Sequence, residues 1–137
     1  MDNLIEKLDE QRRRENCLTI TELLSITNNT IYDPLSTIIS KNVVLGKNNI
    51  IYPNTIIMTE NNSTIKIGNN NLISSSTKII ANNNNTILIG SNCRIDGNVS
   101  IYGNSTLGNG AQILGFIQVY DCVLKEELQI NYHPVSK

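Results

Sequence analysis

"IKIGNNNLISSSTKIIANNNNTILIGSN", Ile65 to Asn92, contains Ile-Gly twice, 22 residues apart, with asparagine-rich stretches between the two. The spacing extends in both directions: Gly46, Gly68, Gly90 and Gly108 each follow an aliphatic residue, at intervals of 22, 22 and 18. Eighteen is three sixes, and 22 is three sixes plus four. A step of six lands on Leu45, Ile51 and Ile57, then, after four extra residues, on Ile67, Ile73 and Ile79. After four more it lands on Ile89, Ile95, Ile101, Leu107, Ile113 and Val119. All twelve positions are Ile, Leu or Val, which together fill only 41 of the 137 positions, so the period is a property of the fold.

A six-residue unit is long enough for one short strand and a corner. Three units close a triangular coil, and coils stack as parallel strands about 4.8 Å apart. The aliphatic residue at each step then points inward. Glycine after it suits a corner that other residues enter only with strain. Asparagine suits corners because it tolerates left-handed backbone and bonds its own main chain. The two insertions, Asn61–Thr64 and Asn83–Thr86, leave the same corner and are expected to stack as small loops. From Val43 to Cys122 the pattern resembles the hexapeptide-repeat superfamily, an all-β class of left-handed parallel β-helices. The left hand comes from that resemblance, since the general rule for crossovers is right-handed.

The expected organisation is a helical segment or cap at 1–37, about four coils at 38–124, and a C-terminal arm or short helix at 125–137. Residues 2–15 read as an amphipathic helix with Leu4, Ile5 and Leu8 on one side. Thr19-Ile20-Thr21-Glu22 fits a capping box ahead of Leu23, Leu24 and Ile26. Asp33-Pro34 marks the turn into the coils. Arg12-Arg13-Arg14 reads as one turn of a solvated helix face. At the far end the six-residue step meets Lys125 and stops.

A net charge of −1 makes no electrostatic case for nucleic acid or an anionic membrane. No apolar run approaches the ~20 residues of a membrane span. Cys17, Cys93 and Cys122 form no CxxC pair and read as reduced thiols, which fits a cytoplasmic location. Many proteins of the superfamily are acyltransferases that act as homotrimers on acetyl-coenzyme A, with a catalytic histidine on a loop between coils of neighbouring subunits. The single histidine, His133, lies beyond the coils. It also excludes the three-histidine zinc site of the β-helical carbonic anhydrases. Asp96 and Asp121 read as isolated, and no catalytic, cofactor-binding or metal-binding residue is expected.

The residue after each inward step forms one column per edge. One column is Gly46, Gly68, Gly90 and Gly108, the structural corners. A second is Tyr52, Ser74, Asp96 and Leu114. The third is Met58, Ile80, Tyr102 and Tyr120, apolar or aromatic in every coil, which with Tyr132 forms the candidate protein contact or, equally, the surface that the chain's own terminal segment covers. The stretch Val43–Ile73, with Gly46, Ile51-Tyr52-Pro53, the insertion after Glu60 and Ile67-Gly68, resembles the β-helical pointed-end subunits of dynactin, as does Asn131-Tyr132-His133. That resemblance implies a non-enzymatic scaffold for dynein–dynactin transport, associated with the cytoskeleton. It would pack beside a sister β-helix and an actin-related protein. The competing expectation is the homotrimeric acyltransferase, against which the lack of a coil-loop histidine weighs.

Overall fold

The computed structural model describes residues 2–60 and 62–131. Helices α1 (Asp2–Arg14) and α2 (Ile20–Leu24) come first. The chain then winds. The first coil holds β1 (Thr30–Ile31), β2 (Ile38–Ile39) and β3 (Val44–Leu45), and the second β4 (Ile50–Ile51), β5 (Ile56–Thr59) and β6 (Thr64–Ile67). The third holds β7 (Leu72–Ile73), β8 (Lys78–Ala81) and β9 (Thr86–Ile89), and the fourth β10 (Arg94–Asp96), β11 (Ser100–Tyr102) and β12 (Ser105–Leu107). The fifth holds β13 (Gln112–Leu114), β14 (Gln118–Tyr120) and β15 (Val123–Leu124), and β16 (Gln129–Asn131) begins a sixth. Every third strand pairs in parallel. Sheet 1 is β1-β4-β7-β10-β13-β16, sheet 2 is β2-β5-β8-β11-β14, and sheet 3 is β3-β6-β9-β12-β15. This is an all-β, left-handed parallel β-helix.

The aliphatic residues of the six-residue step fill the prism. In sheet 1, Ile51, Ile73, Ile95 and Ile113 stand in register, each fully buried. Each is worth roughly 1.5–3 kcal/mol of burial. The corner glycines do stack in a column, but space is the cause. A Cβ on Gly68 would lie 2.7 Å from the Gly90 carbonyl oxygen, and one on Gly108 2.7 Å from the Glu126 nitrogen. The left-handed backbone sits two residues later, at Asn48, Asn70 and Asn92, with φ of 58°, 60° and 61°.

Two other asparagines do something the sequence reading assigned to none of them. Asn49 and Asn71 point inward, 0% and 1% exposed, and build a ladder along the stack. Asn49 Nδ2 donates to the Gly68 carbonyl at 2.9 Å, and Asn49 Oδ1 accepts the Asn71 N–H at 2.9 Å. Asn71 Nδ2 donates to the Gly90 carbonyl at 2.9 Å, and its Oδ1 accepts the Cys93 N–H at 2.7 Å. Asn29 starts the ladder by accepting from Asn49, and Cys93 ends it with a thiol 3.2 Å from the Gly108 carbonyl. Corners too tight for strand pairing thereby satisfy their buried backbone groups.

The expected boundaries need correction at both ends of the β-helix. Strand β1 already pairs with β4 from Thr30, inside the segment expected to be cap. Beyond Val119 the corner is one residue shorter, so the inward phase slips from Lys125 to Leu124, which pairs with Leu107 and is buried. Strand β16 then pairs with β13, so residues 129–131 belong to the coils and form no helix. The count is therefore five coils. The rest of the expected arm, 132–137, lies outside the described residues. The insertions also differ from loops. Residues Thr64 and Thr86 are in paired strands, and the insertions widen the coil there, adding Ile65, Ala81 and Ile87 to the core at 0% exposure.

The helices close the N-terminal end. The capping box at Thr19 is present, with the Glu22 N–H donating to Thr19 Oγ1 and the Thr19 N–H to Glu22 Oε1, both at 3.0 Å. Of the three arginines, Arg13 and Arg14 are exposed, but Arg12 is 9% exposed. Its guanidinium donates to the carbonyls of Thr37 at 2.8 Å and Leu35 at 3.1 Å, clamping α1 to the first coil's corner. Asp9 is buried and accepts from the Ile20 N–H at 2.8 Å and from the Thr21 N–H and hydroxyl, so α1 caps α2. The Thr21 hydroxyl, followed by the Thr21 and Ile20 amides, holds the Asp9 carboxyl below its ordinary value against the opposing effect of burial. A depressed carboxylate contributes stability above the unfolded-state value and loses it as pH falls through the folded one. Wild-type stability should therefore fall below about pH 4. Asp9→Asn should be less stable at neutral pH and show a shallower acid loss in urea melts run from pH 7 to 3.

Candidate functional site

Sheet 1 meets sheet 2 at a corner where the outward column of Tyr52, Ser74 and Asp96 faces solvent. Around it lies an open groove of roughly 620 Å³, lined by Tyr52, Leu72, Ser74–Ser76, Arg94 and Asp96–Asn98. Strand alternation puts Arg94 and Asp96 on the same outer face of β10, and Arg94 Nη2 lies 3.0 Å from Asp96 Oδ2. Asp96 is therefore not isolated, as the sequence suggested. The pair is half-exposed, and such pairs are worth only ~0–1 kcal/mol, so stability does not account for it.

The groove's floor is hydrogen-bonded within and between coils. Ser74 Oγ accepts the Gly97 N–H at 3.0 Å, and the Ser74 carbonyl accepts the Thr77 hydroxyl at 2.8 Å. Gly97 has φ +100°, and a Cβ there would lie 3.1 Å from the backbone of Gly115, so only glycine fits. Tyr52 closes one end, its ring centroid 5.0 Å from that of Tyr32. The site thus offers a carboxylate, a guanidinium and several hydroxyls beside an aromatic wall. The column Tyr52, Ser74, Asp96 was visible in the sequence. The signal that was passed over is Arg94, two residues before Asp96 on one strand.

The third column also forms. Met58, Ile80, Tyr102 and Tyr120 stand in register on the outer face of sheet 2, with the Tyr102 and Tyr120 rings stacked at 4.9 Å. Met58, Ile80 and Tyr102 are half-buried and Tyr120 is exposed. Tyr132 and His133 lie outside the described residues. Burial raises the thiol pKa of Cys17, Cys93 and Cys122 above the ordinary value, so the described cysteines are not activated nucleophiles. Among the described residues no group of three or more His, Cys, Asp or Glu is placed to hold a metal. No described helix is long and apolar enough to cross a membrane.

No family model matches the chain. No curated protein matches it either. Among solved structures it is similar to UDP-N-acetylglucosamine O-acyltransferase (LpxA) from Moraxella catarrhalis, with 16% identity over 77% of this chain and a TM-score of 0.39. It is also similar to the acetyltransferase domain of PglB from Neisseria gonorrhoeae, with 13% identity over 93% of this chain and a TM-score of 0.34. This chain spans 62% and 65% of those two chains, less than two thirds of each. The likeness is one of fold.

The dynactin reading is corrected here. The two solved structures named above are an acyltransferase and an acetyltransferase domain, and neither links this chain to a non-enzymatic dynactin scaffold. The physical reason is that Gly46 and Ile67-Gly68 are set by the tight corners and the inward step of the coil, so they report the fold and not a partner. The expected sister subunit, actin-related protein and cytoskeletal placement rested on that reading alone.

Proposed function

We propose that this chain is a hexapeptide-repeat acyltransferase that works as a homotrimer on acetyl-coenzyme A. The observation that supports the reading is that the polar groove and the apolar stripe of sheet 2 share one corner. The groove occupies the edge of sheet 1, and sheet 2 presents Ile56, Met58, Ile80 and Tyr102, with Lys78 beside them, on the adjoining side. Copies packed through sheet 2 would bring a neighbour's surface alongside each groove and enclose it.

The groove fits the co-substrate in size and chemistry. Its volume falls in the range of small-molecule sites, and Tyr52 and Leu72 give it an apolar wall. Acetyl-coenzyme A supplies the activated acyl group when bound. The Asp96 carboxylate would take the proton from an acceptor hydroxyl or amine as it attacks the thioester, with coenzyme A leaving as the thiol, Arg94 would face the negative charge that develops, and the serine hydroxyls would orient the acceptor. Asp96 does here what a loop histidine does in the enzymes this repeat resembles.

Calorimetric titration with acetyl-coenzyme A, together with an assay of thiol release over a panel of hydroxyl and amine acceptors, tests this. Binding is expected between about 1 μM and 1 mM. Asp96→Asn should lower turnover by about 100-fold or more while keeping binding. Ile80→Glu should give monomers and little turnover. Folded wild-type protein that neither binds nor releases thiol at millimolar acetyl-coenzyme A overturns the proposal.

A further inference from the structure

The outward column at the corner of sheets 1 and 2 reads Tyr32, Tyr52, Ser74, Asp96 and Leu114 from coil to coil, each following an inward residue of sheet 1. Coils repeat at about 4.8 Å, a distance at which rings on neighbouring coils pack against each other. Tyr32 and Tyr52 do so at 5.0 Å, tilted by 56°, and Tyr102 and Tyr120 on sheet 2 do so at 4.9 Å. The next place in the first column belongs to Ser74, which has no ring to put there. Ser75 and Ser76 keep the same coil small around the corner. Tyr52 and Asp96 are thus two coil spacings apart, about 10 Å. The groove lies at this level, bordered by Tyr52 on one side, by Asp96 and Asn98 on the other, and by Ser74–Ser76 between them.

We infer that the groove takes a planar aromatic ring with a hydroxyl or amino group at its edge, stacked on Tyr52 at the level where Ser74 leaves room for it. That this ring is the acyl acceptor rests on the acetyl-transfer reading, whereas its docking does not.

A ring at that level lies about 5 Å from Tyr52, within the range that aromatic pairs prefer. Tyr32 backs Tyr52 from the other side, so the platform is set before the ligand arrives. The opposite border is polar. The ion pair with Arg94 engages Asp96 Oδ2 and leaves Oδ1 as an acceptor. Ser74 Oγ accepts from the Gly97 N–H and keeps its own proton to donate. Arg94 and Asp96 cancel in charge, so the groove favours an uncharged ring over an anion or an ammonium. The ring uses the corner side of the groove, which leaves the side of Leu72 and Arg94, paired in register, for acetyl-coenzyme A. On the transfer reading, the edge oxygen or nitrogen would bond to the acetyl carbon, the carbon–sulfur bond would break, and Asp96 would pass the proton to the departing sulfur.

The test is binding of 3-aminophenol to the full chain without acetyl-coenzyme A, read by calorimetry and ligand-observed nuclear magnetic resonance. A ligand this small should bind at roughly 0.1–5 mM. Trans-1,4-cyclohexanediol, uncharged but puckered, should bind about tenfold more weakly. Tyr52→Ala should weaken 3-aminophenol by about tenfold, and Tyr52→Phe should keep it. Ser74→Tyr should abolish binding by filling the place with the chain's own ring. Circular dichroism checks that the coils remain in each variant. Unchanged binding in folded Tyr52→Ala overturns the proposal, as does a wild type that takes glucose or the cyclohexanediol as well as the aromatic ring. Competition between 3-aminophenol and acetyl-coenzyme A overturns the acceptor assignment, because the place then belongs to the co-substrate's adenine. Ring binding without thiol release upholds the docking and removes the transfer reading. Thiol release confined to non-planar acceptors removes the ring and keeps the transfer.

Discussion

Asn71→Ala should lower the stability of the chain by about 2–5 kcal/mol, one of the largest losses expected from a substitution that removes no apolar surface. Its Oδ1 receives the buried Cys93 N–H, and its Nδ2 reaches the Gly90 carbonyl. Alanine orphans both, at ~1–3 kcal/mol each, in a place with 1% exposure. Asn71→Asp separates the two roles. The carboxylate still accepts from Cys93 but faces the Gly90 carbonyl with negative charge, so it should fare worse than alanine at neutral pH and recover partly in acid. The measurement is the urea midpoint at constant slope. A loss below about 1 kcal/mol for alanine would mean that water replaces the ladder.

Arg12→Ala should release the helical cap. Leu4 is 54% exposed, while Ile5 and Leu8 are only half-buried, so α1 brings little apolar burial of its own. What fixes it is polar, namely Arg12 on the Thr37 and Leu35 carbonyls and Asp9 on α2. Removing the guanidinium strands those carbonyls and should cost about 2–4 kcal/mol. The helical signal should melt ahead of the β signal, where in the wild type both go together. Arg12→Lys should rescue little, because one ammonium cannot span two carbonyls in the fixed fork that arginine presents. Coincident helix and strand melting in Arg12→Ala would sink the clamp.

Both positions were in plain view and were misjudged, for instructive reasons. Arginine 12 stands in a run of three, and nothing local distinguishes it from Arg13 and Arg14. Only the angle at which α1 meets the first coil selects it. Asn71 stands among Asn69 and Asn70, and a corner has left-handed, outward and inward places one residue apart. Here Asn70 takes the left-handed place with φ 60°, and Asn71 the inward one. Leu124 shows the same limit at the end of the stack. A corner shortened by one residue moved the inward phase, and a strict six-residue step read Lys125 as the end of the coils.

The repeat from Leu45 to Val119 was legible. Twelve aliphatic residues at a fixed step must all face one interior, and a period of six with glycine every third unit leaves a triangular coil as the solution. The columns followed from that period, so Met58, Ile80, Tyr102 and Tyr120 fell on one face, and Tyr52, Ser74 and Asp96 on another, before any coordinates. Period is a property of the chain, and hydrophobic burial reads it directly. The groove was decided by the tertiary structure, because Arg94 meets Asp96 and Ser74 holds Gly97 only once successive coils are stacked. So was the covering of β2 by residues 16–18, because whether a strand edge finds a partner depends on segments far away in sequence.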